Sequence, residues 1–283
     1  MFIRLALLLA VSALPIDIAE AHGWGEDATE ARLSAMLGGL LPTALWLIYV
    51  IGAGRIRPTK NRRLLFHGAS LIAVMTMLGN TDGWFDKSSS ALHMVQHMLI
   101  LVVIAPLYVM ARPLPQWLAA SGRIGIRLWK PFLRLSRHPL RTGILQSLVI
   151  WFWHTPVFYN LTLANPWWHL AEHLSFALAS GLFWWSILLR RILTVFPALV
   201  LTLMSTGMLG ALLTFAQTPF YDDLLNLQDQ QLTGLIMWVP GGLPYLVAGG
   251  WCCLRLFSGE YTQSSKHSLG PTRRQRIEKL GTD

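Results

Sequence analysis

The sequence predicts an all-α integral membrane protein: a bundle of seven transmembrane helices that follows an N-terminal signal peptide. Of its 283 residues, 53% are hydrophobic and only 13% are charged, which is too apolar for a water-soluble domain of this length. The hydrophobic residues come in long runs, and these runs lack the alternation of β-barrel strands. The basic residues between the runs are unevenly distributed, which gives the bundle an orientation.

The first element is a predicted signal peptide over residues 1–21. An apolar stretch, residues 5–14, follows Arg4, and the tripeptide Ala-Glu-Ala at 19–21 has the small-x-small pattern of a cleavage site. Cleavage leaves His22 as the first residue, outside the cytoplasm. An uncleaved first anchor is the alternative, because the region before the apolar stretch carries a single basic side chain.

Seven apolar runs follow, within a bundle that covers residues 22–257. Each is close to the roughly 20 residues that a helix needs to cross a bilayer, and tilt or local thinning accommodates the shorter ones. The predicted spans are 35–54, 64–81, 92–111, 141–158, 168–189, 195–216 and 232–256. The longest loop, 112–140, mixes Arg, Trp and Leu in the manner of an interfacial helix. The polar, basic tail from 258 to 283 is predicted to be a disordered cytoplasmic segment.

The charged residues orient these spans. Basic residues concentrate in the loops after the first, third and fifth spans and in the tail, all on one side of a seven-span bundle. Acidic residues, among them Asp222, Asp223 and Asp229, concentrate on the other side. By the positive-inside rule, the N-terminus lies outside and the C-terminus in the cytoplasm. Orientation and contact with anionic lipid account for the net charge of +9, so no nucleic-acid partner is expected.

Two apolar segments repeat one pattern, in which two histidines stand four residues apart. The copies occupy residues 93–97 and 169–173, and the residue just before the second histidine is Gln96 in the first copy and Glu172 in the second. On a helix this spacing places both imidazoles on the same face, about 6 Å apart along the axis. The pattern therefore predicts two matched pairs of ligands.

The predicted topology brings five histidines to one depth. The third and fifth spans both run inward, so the two pairs lie near the outer surface, and the fourth span, which runs outward, adds His154. Polar residues inside spans are rare and are functional by default. The predicted metal site comprises His93, His97, His154, His169, Glu172 and His173.

Copper is the metal we expect at this site. Imidazole suits copper, zinc, iron and nickel, whereas thioether ligands select Cu(I). Met94 and Met98 flank the first histidine pair and favour copper over zinc. The adjacent Cys252 and Cys253 are excluded as ligands, because they fall at the cytoplasmic end of the last span, far from the histidines and in a reducing compartment.

Four motifs occur between residues 35 and 257. They are His93-x-x-Gln96-His97 with Ala105-Pro106-Leu107, Trp153-His154-x-Pro156, His169-x-x-Glu172-His173 with Phe183-Trp184-Trp185, and Asp229-Gln230-Gln231 with Met237-Trp238-Val239-Pro240-Gly241. Together they resemble the CtaG-type cytochrome c oxidase assembly factors, a multi-span membrane family. The resemblance implies a role in maturing a haem–copper oxidase by handling copper at the outer face of the membrane. It implies oxidase subunits or a copper chaperone as partners and, with the topology, a multi-pass protein of the bacterial inner (plasma) membrane.

Two alternative functions stay open. His-x-x-Glu-His is also the inverted zinc-protease signature, in which two histidines bind zinc and the glutamate acts as general base. Gln96 cannot act as a base, so a zinc-dependent intramembrane hydrolase would use only the second copy of the pattern. A haem held between the histidine pairs would instead make the protein an electron carrier. The assembly-factor hypothesis predicts a protein without catalytic activity.

Overall fold

The computed structural model describes residues 26–78, 89–188, 192–221 and 226–257, and within these ranges the secondary structure is helical and contains no strand. The all-α fold class is confirmed. The predicted signal peptide (1–21) and the predicted tail (258–283) lie outside the described residues.

The described part of the chain forms ten α-helices and one π-helical segment. In chain order these are α1 (Glu26–Arg55), α2 (Lys60–Leu78), α3 (Ser90–Met98), the π segment (Leu99–Ile104), α4 (Ala105–Ala111), α5 (Leu114–Leu135), α6 (Pro139–Trp153), α7 (Pro156–Ala164), α8 (Pro166–Leu188), α9 (Ile192–Thr214) and α10 (Leu227–Phe257). Helix α3, the π segment and α4 follow one another without a break and form one continuous rod.

The chain is a membrane protein with four candidate spanning segments among the described residues. These are Met36–Arg55, Ser90–Ala111, Thr194–Thr214 and Leu227–Leu254. The other predicted spans fall on shorter or more polar helices. Helix α6 has 15 residues, α2 begins with basic side chains, and α8 carries the second histidine pair. The seven-span arrangement and its orientation therefore stay predictions.

The outward surfaces of the helices are apolar, whereas several polar side chains point into the bundle. Leu148, Met204 and Val247 are 63, 69 and 71% exposed, although each lies well inside its helix. Gln146 and Ser180 are completely buried. A large exposed apolar surface is unfavourable in water, but a bilayer accommodates it. The arrangement agrees with a bundle whose outer surface contacts lipid.

Pro106 explains the π segment in the middle of the first histidine-bearing rod. The Ala105 N–H donates to the Ile100 carbonyl, which is the π-helical pattern, and Pro106 has no N–H to donate. The Leu101 carbonyl would pair with residue 105 in an α-helix and with residue 106 in a π-helix. Neither N–H is available, so the Leu101 carbonyl has no hydrogen-bond donor inside its own helix.

Helix α8 supplies the donors that the Leu101 carbonyl lacks. Ser180 donates its hydroxyl at 2.6 Å, and Trp184, one helical turn further along, donates its indole N–H at 2.8 Å. Both side chains are buried. These two hydrogen bonds fix the register between the rod that carries His93 and His97 and the helix that carries the second pair.

Glycines set the closest approaches of α10. Its Gly234 crosses α9 at Gly210, where a Cβ on Gly234 would lie 2.5 Å from the Gly210 carbonyl oxygen. Its Gly241 approaches the end of α3, because a Cβ there would lie 2.6 Å from the Met98 sulfur. Small residues at such crossings let helices pack closely in membranes. Helix α10 is therefore held against both α9 and α3.

The segment between residues 112 and 140 is mostly helical, as the sequence predicts. Helix α5 packs against α1, where Trp117 donates its indole N–H to the Leu45 carbonyl at 3.0 Å and Arg55 donates to the Ala119 carbonyl. These contacts place the end of α1 and the start of α5 together. The location of the segment 112–140 in the membrane interface stays a prediction.

Candidate metal centre

Asp229 holds the start of the first histidine-bearing helix. Its carboxylate accepts hydrogen bonds from the Ser90 backbone N–H at 2.5 Å, the Ser90 hydroxyl at 2.7 Å and the Ser89 hydroxyl at 3.0 Å. A carboxylate at a helix N-terminus satisfies free N–H groups and interacts favourably with the helix dipole. Because Asp229 belongs to α10, this contact fixes the position of His93, one turn further along α3.

Asn165 and Pro166 set the start of the second histidine-bearing helix. Asn165 accepts the Trp167 backbone N–H on its side-chain oxygen at 2.8 Å, which is an N-cap, and proline is favoured at the first helical position. Helix α8 therefore begins just before His169, and His173 follows one turn later. The two pairs occupy equivalent positions, in the first turns of their helices.

The two histidine pairs lie side by side. Along each helix, the ring centroids are 4.2 Å apart, both for His93 and His97 and for His169 and His173. Between the helices, His93 lies 5.0 Å from His169, and His97 lies 5.2 Å from His173. The four rings thus form the corners of a small quadrilateral.

Glu172 lies among these rings and is completely buried. Its Oε2 is 3.6 Å from the His93 Nε2 and 3.5 Å from the His97 Nε2. Both distances exceed that of a hydrogen bond, and neither carboxylate oxygen makes a hydrogen bond within the described part of the chain. We call Glu172 and the four histidines the histidine cluster.

The polar atoms of the histidine cluster fit a bound metal ion. The Nε2 atoms of His93, His97 and His173, like the Glu172 oxygens, are buried and make no hydrogen bond to the described residues. Unsatisfied polar groups in an apolar interior are costly, and a buried carboxylate needs a cationic partner. Imidazole and carboxylate are ligands that copper and zinc both accept.

The donor atoms of the cluster fall into two sets of three. His93, His169 and Glu172 form one set, and His97, Glu172 and His173 form the other. Within each set the donor atoms lie within 4.8 Å of one another. Glu172 belongs to both sets, and each set takes one histidine from each helix. The predicted residues are therefore brought together, with His154 as the exception among the six.

His154 lies beside the cluster and outside both sets of donors. Its ring centroid is 6.1 Å from that of His97, and its Nδ1 is 2.7 Å from the Ile150 carbonyl oxygen. Because a carbonyl only accepts, Nδ1 carries the hydrogen in this bond, which leaves the lone pair of a neutral imidazole on Nε2. That Nε2 is buried and makes no hydrogen bond to the described residues.

Gln96 and the methionines do not join the cluster. Gln96 donates its side-chain N–H to the Thr76 carbonyl of α2 at 2.7 Å and so points away from the carboxylate. Met204 and Met208 are 69 and 57% exposed on the outer surface of α9. Met94 is completely buried in the apolar core.

The cysteine pair lies far from the histidine cluster, which supports its exclusion as a ligand. Cys252 and Cys253 come 23 and 24 residues after Asp229, the residue that contacts the start of α3. At about 1.5 Å per residue, this is roughly 35 Å along α10.

Two tyrosines that sequence reasoning missed pack beside the cluster. The rings of Tyr159 and Tyr221 stack at 3.9 Å, and Tyr159 lies 6.0 Å from His93. Tyr221 donates its hydroxyl to the His154 carbonyl at 3.2 Å. Burial is the main factor that raises the pKa of both hydroxyls, so they stay neutral. Nothing in the local sequence signals this contact, because 61 residues separate the two tyrosines.

The chain matches the model of a known family. The model of the cytochrome c oxidase caa3 assembly factor family (Caa3_CtaG) matches residues 47–258. This range includes the whole histidine cluster, His154 and Asp229. No curated protein and no solved structure matches the chain.

Proposed function

Because the chain belongs to the cytochrome c oxidase caa3 assembly factor family, we propose that it binds copper at the histidine cluster and delivers it to a haem–copper oxidase. The observation that carries this proposal is Glu172, a buried carboxylate without hydrogen bonds that lies among four imidazoles. A cation in the cluster balances its charge. Oxidase subunits or a soluble copper chaperone are the proposed partners.

The ligands of the cluster suit a protein that gives its metal away. Imidazoles can be exchanged one at a time, and each must be neutral to bind a metal. Glu172 balances the positive charge of the bound ion, and it accepts the proton that a protonated histidine loses when it binds the metal. His154, whose Nε2 has a lone pair, is the next imidazole beyond His97 and can receive the metal during transfer.

We propose that the cluster faces the outside of the cell, in a seven-span bundle in which α2, α6 and α8 add to the four apolar segments. The charge distribution supports this arrangement. Contacts between α1 and α5 bring Arg55 and the basic segment 112–140 together at one end. The cluster and Asp229 lie at the other end of α3 and α8. The basic end is then cytoplasmic by the positive-inside rule.

The test of the proposal is to replace all four histidines of the cluster with alanine. The variant is expected to purify without copper, and the oxidase from cells that carry it is expected to lack part of its copper. Metal analysis of both proteins measures the effect. His138→Ala is the matched control, because this exposed histidine lies about 24 Å along α6 from His154. Full copper occupancy in the fourfold variant would contradict the proposal.

Geometry also separates the two alternatives. A haem with two axial histidines needs a planar ring between the imidazoles, and centroids 5.0 and 5.2 Å apart across the helices leave little room for one. A sharp reduced-state Soret band from the purified protein would revive the haem hypothesis. One observation favours a zinc hydrolase: Glu172 is buried beside histidines, where a general base would stand. If the protein is such a hydrolase, the Glu172→Gln variant should lose activity and keep its metal.

A further inference from the structure

We propose that the histidine cluster holds two metal ions, in two positions that share Glu172 as a bridging carboxylate. The inference rests on the proposed function and adds to it how many ions the site holds and in which order they exchange. The first position is formed by His93 and His169, and the second by His97 and His173.

The division of the donor atoms supports two positions over one. Each set of three donors includes Glu172 and one histidine from each helix, and the donors within a set lie within 4.8 Å of one another. The Glu172 Oε2 is 3.6 Å from the His93 Nε2 and 3.5 Å from the His97 Nε2, so it faces both sets almost equally. A carboxylate in that position can bridge two ions.

The spacing between the two positions matches that of known two-metal sites. Successive histidines on the same helix have centroids 4.2 Å apart, on α3 and on α8 alike. Ions in two-metal sites stand about 3.5–4 Å apart. The pairs on the two helices are in register, because Asp229 fixes the start of α3 and the Leu101 carbonyl joins α3 to α8 further along.

The two positions differ in their access to solvent. The first uses His169, which is partly exposed, and His93, which is 9% exposed. The second uses His97 and His173, which are 0 and 3% exposed. Since α3 and α8 run in the same direction, the first position lies one helical turn nearer the end of the bundle. The first position is therefore the one that exchanges metal faster, and the second exchanges it more slowly.

His154 lies beyond the second position and offers a further ligand on the buried side of the cluster. Its ring centroid is 6.1 Å from that of His97, and its buried Nε2 carries a lone pair. A metal ion that leaves the second position has this imidazole as its nearest further ligand. The ligand class is a transition-metal ion that accepts two imidazoles and one carboxylate oxygen, and copper is the ion of the proposed function.

The experiment loads the purified full-length protein with Cu(II) and counts the ions. The wild type is expected to bind two per chain. His93→Ala with His169→Ala, and His97→Ala with His173→Ala, are each expected to keep one. A chelator should remove the ion faster from the second of these variants, which retains only the exposed position. One ion in the wild type, or loss of all copper from both variants, would overturn the inference.

Electron paramagnetic resonance gives a second measurement that needs only the wild type. Two Cu(II) ions about 4 Å apart couple magnetically, so the signal should be weaker and broader than the copper content requires. An ordinary isolated-ion signal that accounts for all the copper would overturn the two-ion arrangement. The proposed function would survive that result as long as the fourfold variant still lowers oxidase copper, so the two failures are distinguishable.

Discussion

Glu172 joins the two histidine-bearing helices through its carboxylate. It belongs to α8, yet its Oε2 lies within 3.6 Å of imidazole nitrogens on α3. A buried charge without hydrogen bonds costs several kcal/mol unless a cation lies beside it. A bound metal ion supplies that cation. The residue therefore links the stability of this region to its metal content.

Glu172→Gln is expected to weaken copper binding by more than about 10- to 100-fold, the range for a carboxylate that only supports ligating histidines, because Glu172 is itself a donor of both sets. The four imidazoles remain, so binding should weaken without being abolished. Competition with a chelator of known affinity measures the change. An unchanged copper affinity would contradict the role of the carboxylate.

Gln96→Ala is the matched control, because Gln96 occupies the equivalent position in the first copy of the pattern. Its side chain bonds to the Thr76 carbonyl and does not face the cluster. The substitution leaves that carbonyl without its donor, so we expect lower thermal stability with unchanged copper affinity. An equal loss of affinity in both variants would indicate a general structural effect.

The sequence predicts the histidines of the cluster well and the surroundings poorly. Spacing of four residues places two imidazoles on one helix face whatever the tertiary structure is. The roles of Gln96 and Glu172 depend instead on which helix each side chain faces. Gln96 faces α2, where it bonds to the Thr76 carbonyl. Contacts of Tyr159 and Tyr221 depend on the connections after α6 and α9, which periodicity does not determine.

At the level of elements, the π segment connects the first histidine-bearing rod to α8 by hydrogen bonds. It begins two residues after His97 and leaves the Leu101 carbonyl to accept hydrogen bonds from α8. Hydropathy predicts a continuous span over 92–111, and the structure has a continuous rod there. The local change of helix type escapes that prediction, because hydropathy reports length and polarity only. Pro106 was the sequence signal for it.

Removing both donors to the Leu101 carbonyl tests this connection. Ser180→Ala with Trp184→Phe leaves a buried carbonyl unsatisfied, which costs about 1–3 kcal/mol. We expect a lower melting temperature in detergent and, because α3 loses its register with α8, weaker copper binding. Ser186→Ala with Trp185→Phe is the matched control on the same helix. The connection is refuted if the control pair reduces copper affinity as much as the test pair does.

At the level of the whole molecule, the basic residues and the histidine cluster lie at opposite ends of the bundle. The described contacts bring the basic ends of α1 and α5 together, and the histidine cluster lies at the start of α3 and α8. Membrane insertion keeps basic loops in the cytoplasm. In the proposed seven-span bundle, the histidine cluster would then face the outside. The four apolar segments alone do not determine this orientation. It depends on whether α2, α6 and α8 also cross the membrane, because each added span changes the side on which the following loops lie.

Single-cysteine labelling tests the orientation directly. In a background with Cys252 and Cys253 replaced by serine, Ala164→Cys marks the end of α7 near the cluster, and Arg137→Cys marks the loop before α6. Both positions are exposed. With seven spans, an impermeant thiol reagent added to intact cells should label Ala164→Cys and leave Arg137→Cys unlabelled until the cells are permeabilised. The reverse pattern would place the cluster in the cytoplasm, and copper would then have to be supplied to the oxidase from the inner side.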